Sequence, residues 1–107
     1  MFVQAAIAAI LIVGLHSTTT AAETHTVTMI GTAYAPAAIT AQVGDSIRFV
    51  NDDQVDHDVF VPTVGHAVDL GAQKPGTETV RALGKSGTFE VECVFHDHMK
   101  LVVEVQP

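Results

Sequence analysis

What most limits the fold of this chain is its punctuation. Short runs rich in β-branched or alternating residues span Thr24 to Ile30, Ile39 to Val43, Ser46 to Asn51, His57 to Val61, Thr77 to Leu83, Thr88 to Phe95 and Lys100 to Val105. Between them stand Gly31, Pro36, Gly44-Asp45, Asn51-Asp52-Asp53, Pro62 to Gly65, Pro75-Gly76 and Gly84 to Gly87, residues that favour turns. Runs this short, broken this regularly, leave no room for a long helix and predict an all-β sandwich or barrel. A helical period is found only in the apolar start and, briefly, around His66 to Leu70.

With 107 residues the chain has interior enough for one domain. Its start has a different character. Ala5 to Val13 is an unbroken apolar run, followed by Gly14 and the polar stretch His16 to Thr20. Such a run is short of the roughly 20 residues that span a bilayer but suits the core of a secretory signal, with Ala21 and Ala22 as the small residues before a cleavage point. The expectation is therefore a signal helix over residues 1–22 and a folded domain over 23–107, exported to the periplasm, with no stable membrane span once the signal is removed. No Lys or Arg precedes the run, and an uncleaved tethering helix is the competing reading.

The formal net charge is -7, and the cations are Arg48, Lys74, Arg81, Lys85 and Lys100. Five scattered cations cannot neutralise a phosphate backbone, which excludes a nucleic-acid binder. The single cysteine, Cys93, excludes an internal disulfide and any site that needs two thiolates.

Strand parity makes histidine informative. His57, Val59 and Val61 share one face of their run, so the imidazole lies on an apolar row and needs a partner there. Ile47, Phe49 and Asn51 share a face in the same way, as do Leu101, Val103 and Val105. Asp58, of opposite parity to His57, is expected to point to solvent.

The chemistry is concentrated in Cys93-Val94-Phe95-His96-Asp97-His98-Met99. Thiol, imidazole and thioether are soft to borderline ligands that suit copper, whereas calcium and magnesium sites are built from oxygen. The cysteine ends one predicted strand and the methionine precedes the next, which places this group on a tight loop. His57, from another strand, is the candidate distant ligand. An inert buried thiol is the bland reading of Cys93, core filling that of Met99, and a hydrogen-bonded core residue that of His57. His98 adjoins Met99, and neighbouring strand side chains diverge, so His96 and His98 do not serve equally. His16, His25 and His66 read as solvated.

His57-Asp58-Val59 followed by Cys93-x-x-His96-x-x-Met99, together with Val43-Gly44-Asp45 opening a strand and Gly87-Thr88-Phe89-Glu90-Val91, resembles the cupredoxins, the blue copper proteins. The two-residue gap between His96 and Met99 is most similar to the amicyanins. The resemblance implies an all-β, small Greek-key β-sandwich, one copper ion cycling between Cu(I) and Cu(II), held by His57, Cys93 and His96 with Met99 as weak axial ligand, and a function in single-electron transfer rather than enzymatic turnover. It also implies redox partners, a cytochrome c or a periplasmic dehydrogenase, an amine dehydrogenase by analogy with the amicyanins. Two departures stand out. Asp58 replaces an Asn common in that family, and Asp97-His98 occupies a stretch that often carries Pro and a bulky residue. The acidic residues Asp52, Asp53, Asp56 and Asp58 around His57 are expected to steer a basic partner. The competing function is a periplasmic copper carrier that binds Cu(I) through the same ligands.

Overall fold

A computed structural model describes residues 3–14 and 21–107. Nine strands form: β1 (Thr24–Ile30), β2 (Ala33–Ala35), β3 (Ala38–Gln42), β4 (Ser46–Asn51), β5 (His57–Val61), β6 (Val68–Gln73), β7 (Glu78–Ala82), β8 (Gly87–Cys93) and β9 (His96–Gln106). They make two sheets, ordered β2-β1-β4-β7 and β3-β9-β8-β5-β6. The pairs β1/β4 and β3/β9 run parallel and the remaining pairs antiparallel.

Alternation decides which side chains fill the space between the sheets. From the first sheet come Val27, Met29, Ile47 and Phe49; from the second come Val59, Val61, Val91, Leu101, Val103 and Val105, all buried. Their neighbours Val102, Glu104 and Gln106 face outward, the half-buried pattern of a sandwich strand. Because β5 and β8 are adjacent and antiparallel, and β8 turns directly into β9, the start of β5, the end of β8 and the start of β9 meet at one pole.

The structure departs from the sequence reading in four places. Val68–Gln73 is edge strand β6, not a helical stretch, because pairing with β5 gives its backbone partners that a short isolated helix lacks. β2 adds three residues to the sheet through a two-residue turn at Gly31 and Thr32, whose φ values of 59° and 53° are of the kind a tight hairpin needs. β9 begins at His96 rather than Lys100, which reduces the expected loop after Cys93 to the turn Val94-Phe95. Finally, residues 3–14 carry neither helix nor strand and are exposed, so the expected N-terminal helix is not formed there. A short apolar segment with nothing to pack against cannot offset the cost of helix nucleation in water. The remainder of that expectation, with His16, falls outside the described residues. Among the described residues no helix is long and apolar enough to cross a membrane.

Asp45, in the turn between β3 and β4, ties down the opposite pole. Its Oδ1 accepts the Glu23 backbone N–H at 2.9 Å, and its Oδ2 meets the Gln42 N–H and His25 Nε2, each at 2.9 Å. His25 is thus bonded rather than solvated. These contacts, the Glu23 N–H foremost, followed by His25 and Gln42, lower the Asp45 carboxyl to about 2 from 3.8. A depressed acid stabilises the folded state above its unfolded pKa and loses that contribution as pH falls through the folded one. The melting temperature should therefore drop between about pH 4 and about pH 2. In Asp45→Asn, thermal unfolding monitored by circular dichroism should show a lower melting temperature at pH 7 and a shallower decline across that window.

Candidate metal centre

His57 opens β5 on its inward face and is 0% exposed. A buried imidazole needs its nitrogens satisfied, and one of them is: Nε2 lies 2.8 Å from Asp53 Oδ2. The same carboxylate oxygen accepts the Thr32 N–H at 2.9 Å, and Asp53 Oδ1 accepts the Gln54 N–H at 3.0 Å. Those contacts, Thr32 first, then His57 and Gln54, depress the Asp53 carboxyl to about 2 from 3.8. Asn51 in turn fixes the loop. Its Oδ1 accepts the Asp53 N–H, and its Nδ2 donates to the carbonyls of Val55 and Gln73. The chain of contacts Asn51, Asp53, His57 therefore sets the ring so that the other nitrogen, Nδ1, points toward Cys93 Sγ, 3.9 Å away.

Cys93, 2% exposed, ends β8 beside a register shift between Glu92 and Cys93. Its sulfur accepts the Asp58 N–H at 3.3 Å. The Tyr34 hydroxyl donates to the Asp58 carbonyl at 2.5 Å, holding from its other side the residue whose N–H makes this contact. Across the Val94-Phe95 turn, His96 is the register partner of Cys93. The His96 ring stands 5.0 Å from that of His57 at 90°, and His96 Nε2 is buried with no hydrogen-bond partner. Met99, 1% exposed, points inward from β9, whereas His98 is on the exposed side. His98 Nε2 lies 3.2 Å from Thr32 Oγ1, and its ring is parallel to that of His96 at 6.2 Å.

The structure thus brings His57, Cys93 and His96 together at one pole and places Met99 in the core three residues beyond His96. It does not bring His25 or His66 there: His25 bonds Asp45, and His66 stacks on Phe89 at 5.0 Å. A buried imidazole nitrogen without a partner, a buried thiol and a second, carboxylate-anchored imidazole at the same pole are donors of the kind a soft or borderline metal ion takes. The residues present fit copper.

Two acidic residues behave differently from the sequence reading. Asp58 is 3% exposed rather than solvated, because the register shift between Asp58 and Phe60 breaks strict alternation and both Asp58 and Val59 are buried. Burial, reinforced by the nearby Asp69 carboxylate, raises its pKa to about 6 from 3.8. Asp53 is spent on His57 and Thr32. The exposed acidic patch near His57 is accordingly reduced to Asp52 and Asp56.

The roles of Asn51, Asp53, Thr32 and Tyr34 as supports were missed in the sequence. Only the position of Asp53, four residues before His57, hinted at one of them. In Tyr34→Phe, loss of the bond to the Asp58 carbonyl should cost about 1 kcal/mol in urea unfolding of the metal-free protein.

Comparison with known proteins agrees with this fold. The chain superposes on a copper-containing nitrite reductase from Thermus scotoductus SA-01 with a TM-score of 0.73 and 24% identity, over 78% of this chain and 22% of that one. The chain therefore spans under a quarter of that protein's length. It superposes on a purple cupredoxin from Nitrosopumilus maritimus with a TM-score of 0.69 and 18% identity, over 77% and 99% of the two chains. A Cu(I) structure of an amicyanin mutant gives a TM-score of 0.72 at 20% identity, over 78% and 82%. No curated protein sequence matches. The sequence pattern of the cupredoxin-like domain matches residues 3–103, nearly the whole chain, and with the two-sheet sandwich already described this places the protein in the cupredoxin-like family.

Proposed function

We propose that this protein is an electron carrier that binds one copper ion through His57, Cys93, His96 and Met99 and passes single electrons between protein partners outside the cytoplasm. The observation that carries this reading is His57 Nδ1 at 3.9 Å from Cys93 Sγ, with the His96 ring 5.0 Å from that of His57 and its buried Nε2 without a partner. Copper would supply a Cu(I)/Cu(II) couple. The chain's own residues supply the rest. Asp53 holds the His57 ring in place, the Asp58 N–H fixes the position of the Cys93 sulfur, and the core around Met99 keeps water away. Four protein ligands leave no open position for a substrate, which favours a carrier over an enzyme.

The surface around the site supports a docking role. Val94 is 59% and Phe95 53% exposed at the turn beside His96, and Ile30 is exposed on the adjoining strand. An apolar tip with Asp52 and Asp56 at its side suits a redox partner such as a cytochrome c or a periplasmic dehydrogenase with a basic rim.

Residues 1–22 are proposed as an export signal removed after Ala22. Supporting this, residues 3–14 add no element to the fold. The nitrogen of Glu23, which cleavage would convert to an ammonium, already faces the Asp45 carboxylate at 2.9 Å. Mass spectrometry of the protein exported from a bacterial host should give a mass beginning at Glu23.

The decisive test is the visible spectrum after one equivalent of Cu(II). An intense thiolate-to-copper band, lost in Cys93→Ala, is the expected result. Binding of Cu(I) without that band would instead favour a copper carrier, and no binding of either ion would remove both readings. In Asp53→Asn, chelator competition should show copper affinity lowered by about 10–100-fold, because the ring keeps its place in the sequence but loses its anchor.

A further inference from the structure

A second feature of the sandwich lies away from the metal centre and shares no lining residue with His57, Cys93, His96 or Met99. Where edge strands β6 and β7 leave the two sheets unjoined, a cavity of about 220 Å³ opens between them. Its walls are apolar and buried, among them Phe49, Val61, Leu83 and Phe89. Its lining also includes two exposed cations, Arg81 and Lys85. These are two of only five Lys and Arg in a chain of net charge -7. Both are available. Among the described residues Arg81 has no ion-pair partner, and Lys85 Nζ has only the Gly65 carbonyl, at a long 3.3 Å.

We propose that this cavity is a binding site for a small amphipathic monocarboxylate, whose apolar tail enters between the sheets while its carboxylate stays at the mouth between Arg81 and Lys85. The chemistry of the walls selects this class. A hydrated dianion such as phosphate cannot follow an apolar wall inward, and a neutral hydrocarbon leaves the cations unused. Size sets the tail. A dry apolar cavity of about 150 Å³ accepts benzene, so 220 Å³ admits a tail of about six to eight carbons. Arg81 and Lys85 would each make a charge-assisted hydrogen bond to the carboxylate, stronger than the single long contact Lys85 makes now. His66, half-buried and stacked on Phe89, forms one side of the opening.

Calorimetric titration of the exported protein with octanoate tests this. The expected result is saturable one-to-one binding that tightens by about fourfold per methylene from hexanoate to octanoate. The double variant Arg81→Ala/Lys85→Ala, altered only at exposed positions, should weaken octanoate by at least about tenfold while leaving octanol unaffected. Val68→Phe, which fills the cavity from β6, should abolish binding, with the melting temperature reporting whether the variant folds. Independently, methyl resonances of Val61 and Leu83 in the unaltered protein should shift on titration. No saturable heat, octanol binding equal to octanoate, or methyl shifts confined to other parts of the core would each overturn the proposal.

Discussion

The structure of the functional pole depends on one contact, the Asp53 carboxylate against Nε2 of His57. An imidazole at full burial, unanchored, would rotate to whatever partner the core offered, and its free nitrogen would have no fixed direction. Asp53 removes that freedom, and Asp53 is itself held by the N–H groups of Thr32 and Gln54 and by Asn51. Three separate stretches of chain are thereby tied together: the β1–β2 turn, the end of β4 and the start of β5. The left-handed backbone at Thr32, uncommon for a residue with a branched Cβ, is compensated by the hydrogen bond its N–H makes to Asp53.

Around that anchor the remaining donors are placed by ordinary sheet geometry. The antiparallel turn at Val94-Phe95 sets Cys93 opposite His96, and parity along β9 sends Met99 inward and His98 outward. Tyr34 bonds the carbonyl of Asp58, the residue whose N–H reaches the Cys93 sulfur. A site prepared in this way before the ion arrives is what a single-electron couple requires, since rigid ligands keep the change in geometry between oxidation states small. The proposed function therefore follows from the supports as much as from the ligands themselves.

Much of this was legible in the sequence, and the parts that were not share a cause. β1, β4 and β5 have the ends their alternation and turn residues imply, and the burial of Ile47, Phe49 and Asn51 on one face follows from period two alone. β6 was obscured because Gly71 and Asp69 interrupt its apolar row, and pairing with β5, invisible locally, is what makes it a strand. Asp58 was misplaced because a register shift is a property of two strands and not of one. Asp53 read as one more acid on a solvated loop, since nothing local distinguishes a carboxylate that faces water from one that the fold turns onto a buried ring. Local pattern specified the ligand types, while tertiary contacts specified what orients them.

Whether the proposed centre is built before metal binds can be read from paired crystal structures of the copper-free and Cu(II)-loaded protein. In a prebuilt centre the His57 ring and its contact with Asp53 superpose in the two states, with the ion held by His57 Nδ1, Cys93 Sγ and His96. A His57 ring that rotates on loading, or an ion seated elsewhere, such as beside His25 and Asp45, would contradict it.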